Sequence, residues 1–230
     1  MTSLILIPGM MCDARLFAPQ VKHLSGEFDI QIPKLVGQTT INGYANDILE
    51  KGPDRFALLG LSMGGIIAME ILRIAPERVE RIALLDTNPL AEKDEVKQRR
   101  LPQMEAVKQG RLADIMRDEM KPNYLADSPL KGEILDLCMD MAVDLGAEVF
   151  IEQSQALMNR PDQTETLKSA DIPALILCGR DDILCPIERH ELMHNLMPHS
   201  TLEIVDGAGH LPVLEQAEIT NSKITTWLKQ

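Results

Sequence analysis

Six short apolar runs set the terms on which this chain can fold. Residues 4–7, 28–32, 56–59, 81–85, 174–177 and 201–205 are rich in Leu, Ile, Val and Phe, and most are bounded by Gly, Pro, Asp or Asn. Runs of this length without sustained polar alternation read as strands buried on both faces, the habit of parallel sheets. Helix-length stretches such as 64–74 and 187–197 separate them. The alternation predicts an α/β layer fold with a mostly parallel sheet of about six strands.

One interval breaks the alternation. Between residues 88 and 170 no convincing strand appears. Leu112, Ile115, Met116 and Met120, then Ile134, Leu137, Cys138 and Met141, recur at the three- and four-residue spacing of amphipathic helices. The expected organisation is a core from residues 1–87 and 171–230, with a helical cap of four or five helices inserted at 88–170.

Charge and cysteine usage exclude several classes. The 230 residues carry a net charge of −12. Nucleic-acid binding depends on Lys and Arg neutralising phosphates, so that class is excluded, and docking on anionic membranes with it. Cys12, Cys138, Cys178 and Cys185 are scattered without a Cys-x-x-Cys pair, which suits a reducing compartment. The N-terminal segment lacks a basic region ahead of its short apolar run, and no apolar stretch reaches membrane-spanning length. A cytoplasmic protein is expected.

The chemistry concentrates at three places. Gly60-Leu61-Ser62-Met63-Gly64 joins the run at 56–59 to the helix at 64–74. A nucleophile on such a strand-to-helix turn is lifted clear of the sheet, and only small residues fit two positions either side. A serine needs a base and a group to orient it. His210, in Gly207-Ala208-Gly209-His210, follows the last strand. Asp182, in Gly179-Arg180-Asp181-Asp182, follows the strand before it. The order Ser62, Asp182, His210 is that of α/β-hydrolases. Asp86, after the run at 81–85, is the alternative acid.

Two other features compete for attention. His190-Glu191-Leu192-Met193-His194 spells the HExxH zinc signature. On a helical wheel its histidines fall away from the apolar face of Leu192, Met193, Leu196 and Met197, largely toward solvent, so no metal is expected. Thirteen methionines stand against seven aromatic residues. Most read as core packing, with Met10, Met11, Met63 and Met69 candidates for a compliant acyl pocket.

Through residues 60–65, the cap-exit segment from Arg160-Pro161-Asp162 to Ile172-Pro173, Gly179 to Asp182 to Pro186, and 207–210, the chain resembles the α/β-hydrolase superfamily over nearly its whole length. It is most similar to small bacterial carboxylesterases of the enol-lactonase and pimeloyl-ester esterase type. The resemblance implies a cofactor-free serine esterase with catalytic Ser62, His210 and Asp182, and an oxyanion hole from the backbone N–H groups of Met10 and Met63. It implies a small apolar acyl substrate in an ester, thioester or lactone, and a sheet without the family's N-terminal hairpin. A C–C-bond hydrolase, or a ligand-binding protein of this fold with negligible turnover, are the alternatives. The chain departs from the family at Pro8-Gly9-Met10, where His-Gly is usual, and at residues 35–39, where Gly-x-Gly-x-Ser is usual.

Overall fold

A computed structural model describes residues 2–230. Its six strands are β1 (Thr2–Ile7), β2 (Phe28–Gln31), β3 (Phe56–Leu61), β4 (Val79–Leu85), β5 (Ala174–Gly179) and β6 (Ser200–Val205). They form one sheet in the order β2-β1-β3-β4-β5-β6, with every pairing parallel. All six runs read from the sequence are strands. The expectation of burial on both faces holds for β3 and β5, whose residues are all buried. It fails at the sheet's two edges, where most β2 and β6 residues are half-exposed. An edge strand has one neighbour and less helix over it, so its hydropathy alone overstates its burial.

Helices cover both faces. These are α1 (Ala18–Leu24), α2 (Ile41–Lys51), α3 (Met63–Ile74), α4 (Asp94–Lys108), α5 (Leu112–Ile115), α6 (Lys131–Met158), α7 (Thr164–Ser169), α8 (Ile187–Leu196), α9 (Pro212–Glu215) and α10 (Ala217–Leu228). Two apolar clusters result, one on each face. Ile5, Ile7 and Leu58 point into one with α2 and α3; Leu4, Leu6 and Leu59 point into the other with Trp227 of α10. The split follows from the two-residue period of a strand.

Between β4 and β5 the chain runs from α4 to α7 without a strand. Helix α6 breaks at Gly146, where φ is 84°. Glycine alone adopts that value without a Cβ penalty, so the kink has a local cause. No helix among the described residues is long and apolar enough to cross a membrane.

Candidate active site

The three sequence-derived groups sit just beyond the C-terminal ends of β3, β5 and β6, the edge where parallel sheets place ligand sites. Ser62 follows β3 with φ 55° and ψ −117°. Such a positive φ is strained for a residue with a Cβ and is held in place by its surroundings. The Ser62 N–H donates to Leu85 O at 2.9 Å, and Thr87 Oγ1 donates to Ser62 O at 2.7 Å. Gly64 explains the motif's spacing: a Cβ there would collide with the Ile7 and Pro8 carbonyls.

His210 Nε2 lies 2.9 Å from Ser62 Oγ, and its Nδ1 lies 2.8 Å from Asp182 Oδ2. The remaining oxygen, Asp182 Oδ1, accepts the N–H groups of Leu184 and Cys185 at 2.9 and 3.1 Å. Asp182 is 3% exposed and His210 5%. Burial by itself pushes the Asp182 carboxyl up. The His210 ring beside it, with these hydrogen bonds, outweighs burial and holds the group below the usual carboxylate range. Asp181 is exposed, and Asp86 is committed elsewhere. Asp86 Oδ1 accepts the Gly179 N–H at 2.9 Å, and burial followed by the Asp182 charge pushes its carboxyl well above the usual range.

His210 sits on a loop clamped from two sides. His210 N donates to Tyr124 O at 2.6 Å. The buried Glu215 accepts from Gly209 and Leu211 through Oε2, at 2.8 and 3.2 Å, and from Ala126 through Oε1 at 2.7 Å. Gly179 lets this loop approach β5, since a Cβ would strike the carbonyls of Ala208 and Gly209.

The loop after β1 shows how the chain manages without the family's usual residues. Gln153 of α6 is fully buried. Its Oε1 accepts Met11 N at 2.8 Å while its Nε2 donates to Leu35 O at 2.9 Å. One side chain thus joins the two segments where the chain departs from the family. Neither Met10 N nor Met63 N donates to another group among the described residues, so both amides are available beside Ser62.

Ser62 and His210 open into a cavity of about 650 Å³. Met10, Met63 and Met120 line it; Met11 and Met69 instead pack in the core. Cys185 also lines the cavity, and burial pushes its thiol up, so it is protonated beside the imidazole. Cys185, Asp182 and His210 bring one potential ligand atom each within 4.8 Å of one another. Both Asp182 oxygens and both His210 ring nitrogens are already engaged in hydrogen bonds.

The HExxH histidines diverge. His194 Nδ1 meets Ser200 Oγ at 2.7 Å, whereas Thr87 N donates to His190 Nε2 at 3.2 Å. The expectation that both rings turn largely to solvent is wrong for His190, which is fully buried. Helix α8 packs against the loop after β4 as well as against the sheet, and a one-sided wheel omits that second contact. Burial lowers the His190 pKa from 6.5 to about 4, keeping the ring neutral.

The sequence reasoning missed Gln153 and Glu215. Neither stands in a motif. Glu215 offered one signal, an acid closely following His210 across Leu211-Pro212.

The fold and this arrangement define a class: the alpha/beta hydrolase family model matches residues 12–222, and the chain belongs to that family. It is an enzyme of the hydrolase type. Among its relatives, the pimeloyl-[acyl-carrier protein] methyl ester esterase of Pectobacterium atrosepticum is 24% identical, over 97% of this chain and 92% of that protein. The Klebsiella pneumoniae esterase of the same name is 27% identical over 91% and 86%. A thermophilic esterase from Thermogutta terrifontis, solved with malate bound, superposes with a TM-score of 0.89 at 26% identity, covering 100% of this chain and 90% of that one. The enol-lactonase of Burkholderia xenovorans superposes with a TM-score of 0.88 at 20% identity, over 100% and 92%, and shows likeness of fold.

Proposed function

We propose that this chain is a serine esterase that cleaves a carboxylic ester, thioester or lactone through an acyl-enzyme on Ser62. The observation that carries the reading is the unbroken hydrogen-bond chain from Ser62 through His210 to Asp182, at the wall of a cavity. The esterase names of its relatives support it.

His210 Nε2 takes the Ser62 proton as Oγ attacks the carbonyl carbon. Asp182, ionised, holds the ring by Nδ1–H and stabilises the imidazolium. The oxygen that becomes negative is received by the N–H groups of Met10 and Met63, fixed backbone donors. Collapse of the intermediate expels the alcohol or thiol, which takes the proton from Nε2. Water activated by the same nitrogen then attacks the acyl carbon, and Ser62 leaves as the restored hydroxyl. These steps use no cofactor. Residues 88–170 act as a cap over the site, through Arg100, Gln103, Tyr124 and Leu157, and bound the acyl group.

The test is paired labelling and turnover. A fluorophosphonate should add to Ser62, as located by peptide mass spectrometry, and p-nitrophenyl esters of increasing acyl length should be hydrolysed. Ser62→Ala should lose labelling and roughly 10⁴–10⁶ of kcat. Turnover above a tenth of wild type in that variant would overturn the assignment. Labelling without turnover of any ester in the panel would favour the ligand-binding alternative.

A further inference from the structure

The cavity beside Ser62 has the opposite charge from the protein that contains it. In a chain of net charge −12, its lining includes Lys93, Arg99, Arg100, Arg160 and Arg189, against the carboxylates Glu92 and Glu119. Two of these cations are deep. The Arg100 and Arg160 side chains retain 13% and 9% exposure, and both reach Glu92, at 3.3 and 3.1 Å. Two guanidiniums share one buried carboxylate, so this group of three is left with one positive charge.

One donor is left over as well. Arg160 Nε donates to Leu90 O at 3.0 Å. Arg100 Nη1 contacts Met10 Sδ at 3.6 Å, and the buried Arg100 Nε has no partner. A buried charge in excess of its counter-charge is costly, and so is an idle buried donor. A carboxylate in the cavity would offset the excess charge, because guanidinium forks match carboxylates in shape and charge.

We propose that Arg100 and Arg160 form a carboxylate subsite, and that the ester cleaved at Ser62 carries a free carboxylate close to its scissile carbonyl. This deepens the serine-esterase reading and rests on it. The closeness follows from Met10, which touches Arg100 through its sulfur and offers its N–H to the reacting oxygen. A half-ester of a short dicarboxylic acid fits these terms. One carboxylate neutralises the buried excess, whereas a phosphate dianion overshoots it. The exposed Arg99 and the chain's other rim cations draw such an anion toward a protein that otherwise repels it.

The experiment compares monomethyl glutarate with methyl valerate, esters of equal acyl length differing in the terminal carboxylate, by acid release in a pH-stat. Wild type should favour the charged ester at least about tenfold in kcat/KM. The charged-to-neutral ratio should fall roughly 10- to 150-fold in Arg160→Met or Arg100→Met, the range for a charge-assisted hydrogen bond. Both esters are read on one preparation, so a loss of folded protein cancels from the ratio. A wild-type ratio near one, or a ratio unmoved in both variants, overturns the subsite; three residues that merely brace this corner predict the latter.

A second arm separates failure of the subsite from failure of the esterase reading. If neither ester is cleaved and fluorophosphonate does not label Ser62, the esterase reading fails and thermal shift with glutarate judges the subsite alone. Stabilisation of wild type that disappears in Arg160→Met supports it. No stabilisation, or stronger stabilisation by inorganic phosphate, overturns it.

Discussion

Gln153 and Met11 are 142 positions apart in sequence and 2.8 Å apart in space, joined by a hydrogen bond from the Met11 N–H to the buried side-chain amide. The same amide donates to Leu35, so one residue of α6 sets the shape of the loop that presents the Met10 N–H to the site. A loop with Pro8 in place of the family's usual histidine is held by α6.

Gln153→Leu tests this hold. The substitution keeps the bulk but leaves the Met11 N–H and the Leu35 carbonyl buried without partners, at about 1–3 kcal/mol for each stranded group. Thermal denaturation should register the loss. Because the loop carries a proposed oxyanion donor, kcat on an activated ester should fall roughly 10- to 100-fold with little change in KM, the signature of weakened transition-state stabilisation. An unchanged kcat in a destabilised protein would show that the loop holds its shape without Gln153.

Adjacent carboxylates provide a sharper test. Asp182 meets the His210 ring, whereas Asp181 is exposed. Asp182→Asn should misorient the imidazole and lower kcat by up to about 10⁴. Asp181→Asn should cost less than about tenfold. Steady-state rates for both on one ester, with circular dichroism as the folding check, decide the matter.

Glu215→Gln replaces one acceptor oxygen with an amide donor that must face a backbone N–H. Either Ala126 or the Gly209–Leu211 pair loses its partner. We expect kcat to fall about tenfold or more, with KM nearly constant, because the His210 loop loosens while the cavity wall stays. The exposed Glu218→Gln is the control and should match wild type.

His190 makes a prediction about pH. Its folded pKa is about 4 against an ordinary 6.5, so between those values the unfolded chain binds a proton that the folded chain refuses. Stability therefore rises with pH across this window and is lost as pH falls from about 6.5 to 4, by up to about 3 kcal/mol. Urea denaturation at a series of pH values should show the slope, and His190→Gln should flatten it. An equal slope in that variant would assign the effect to other groups.

How much of this was written locally in the chain follows from the range of each constraint. Gly60, Ser62 and Gly64 were legible because one turn imposes all three, within five residues. Asp182 and His210 were legible because each follows a strand in its own short motif. The strands themselves showed as apolar runs, except that β2 and β6 gave no sign of lying at the edges, since neighbour number is a property of the assembled sheet. Gln153, Arg100 and Arg160 were invisible for a related reason. Each is an ordinary polar residue, Gln153 on α6, Arg100 on α4 and Arg160 just past the end of α6, and its meaning lies in partners such as Met11, Leu35 and Glu92 that only the fold brings near. His190 misled because a helical wheel allows one buried face, whereas α8 packs against the sheet, the loop after β4 and α7.

The carbonyl of Tyr124 and the N–H of Ala126 are tied to the very loop that bears His210, one directly and the other through Glu215. A door that opened by lifting residues 124–126 would carry His210, the proposed base, away with it. Such an enzyme would be silent whenever its cover was raised and would regain its competence only on closing. Traffic through the cavity while the enzyme stays armed must then use another way in, past the exposed side chains of Ile183 and Leu184 at its lining, with the Leu184 N–H still on Asp182.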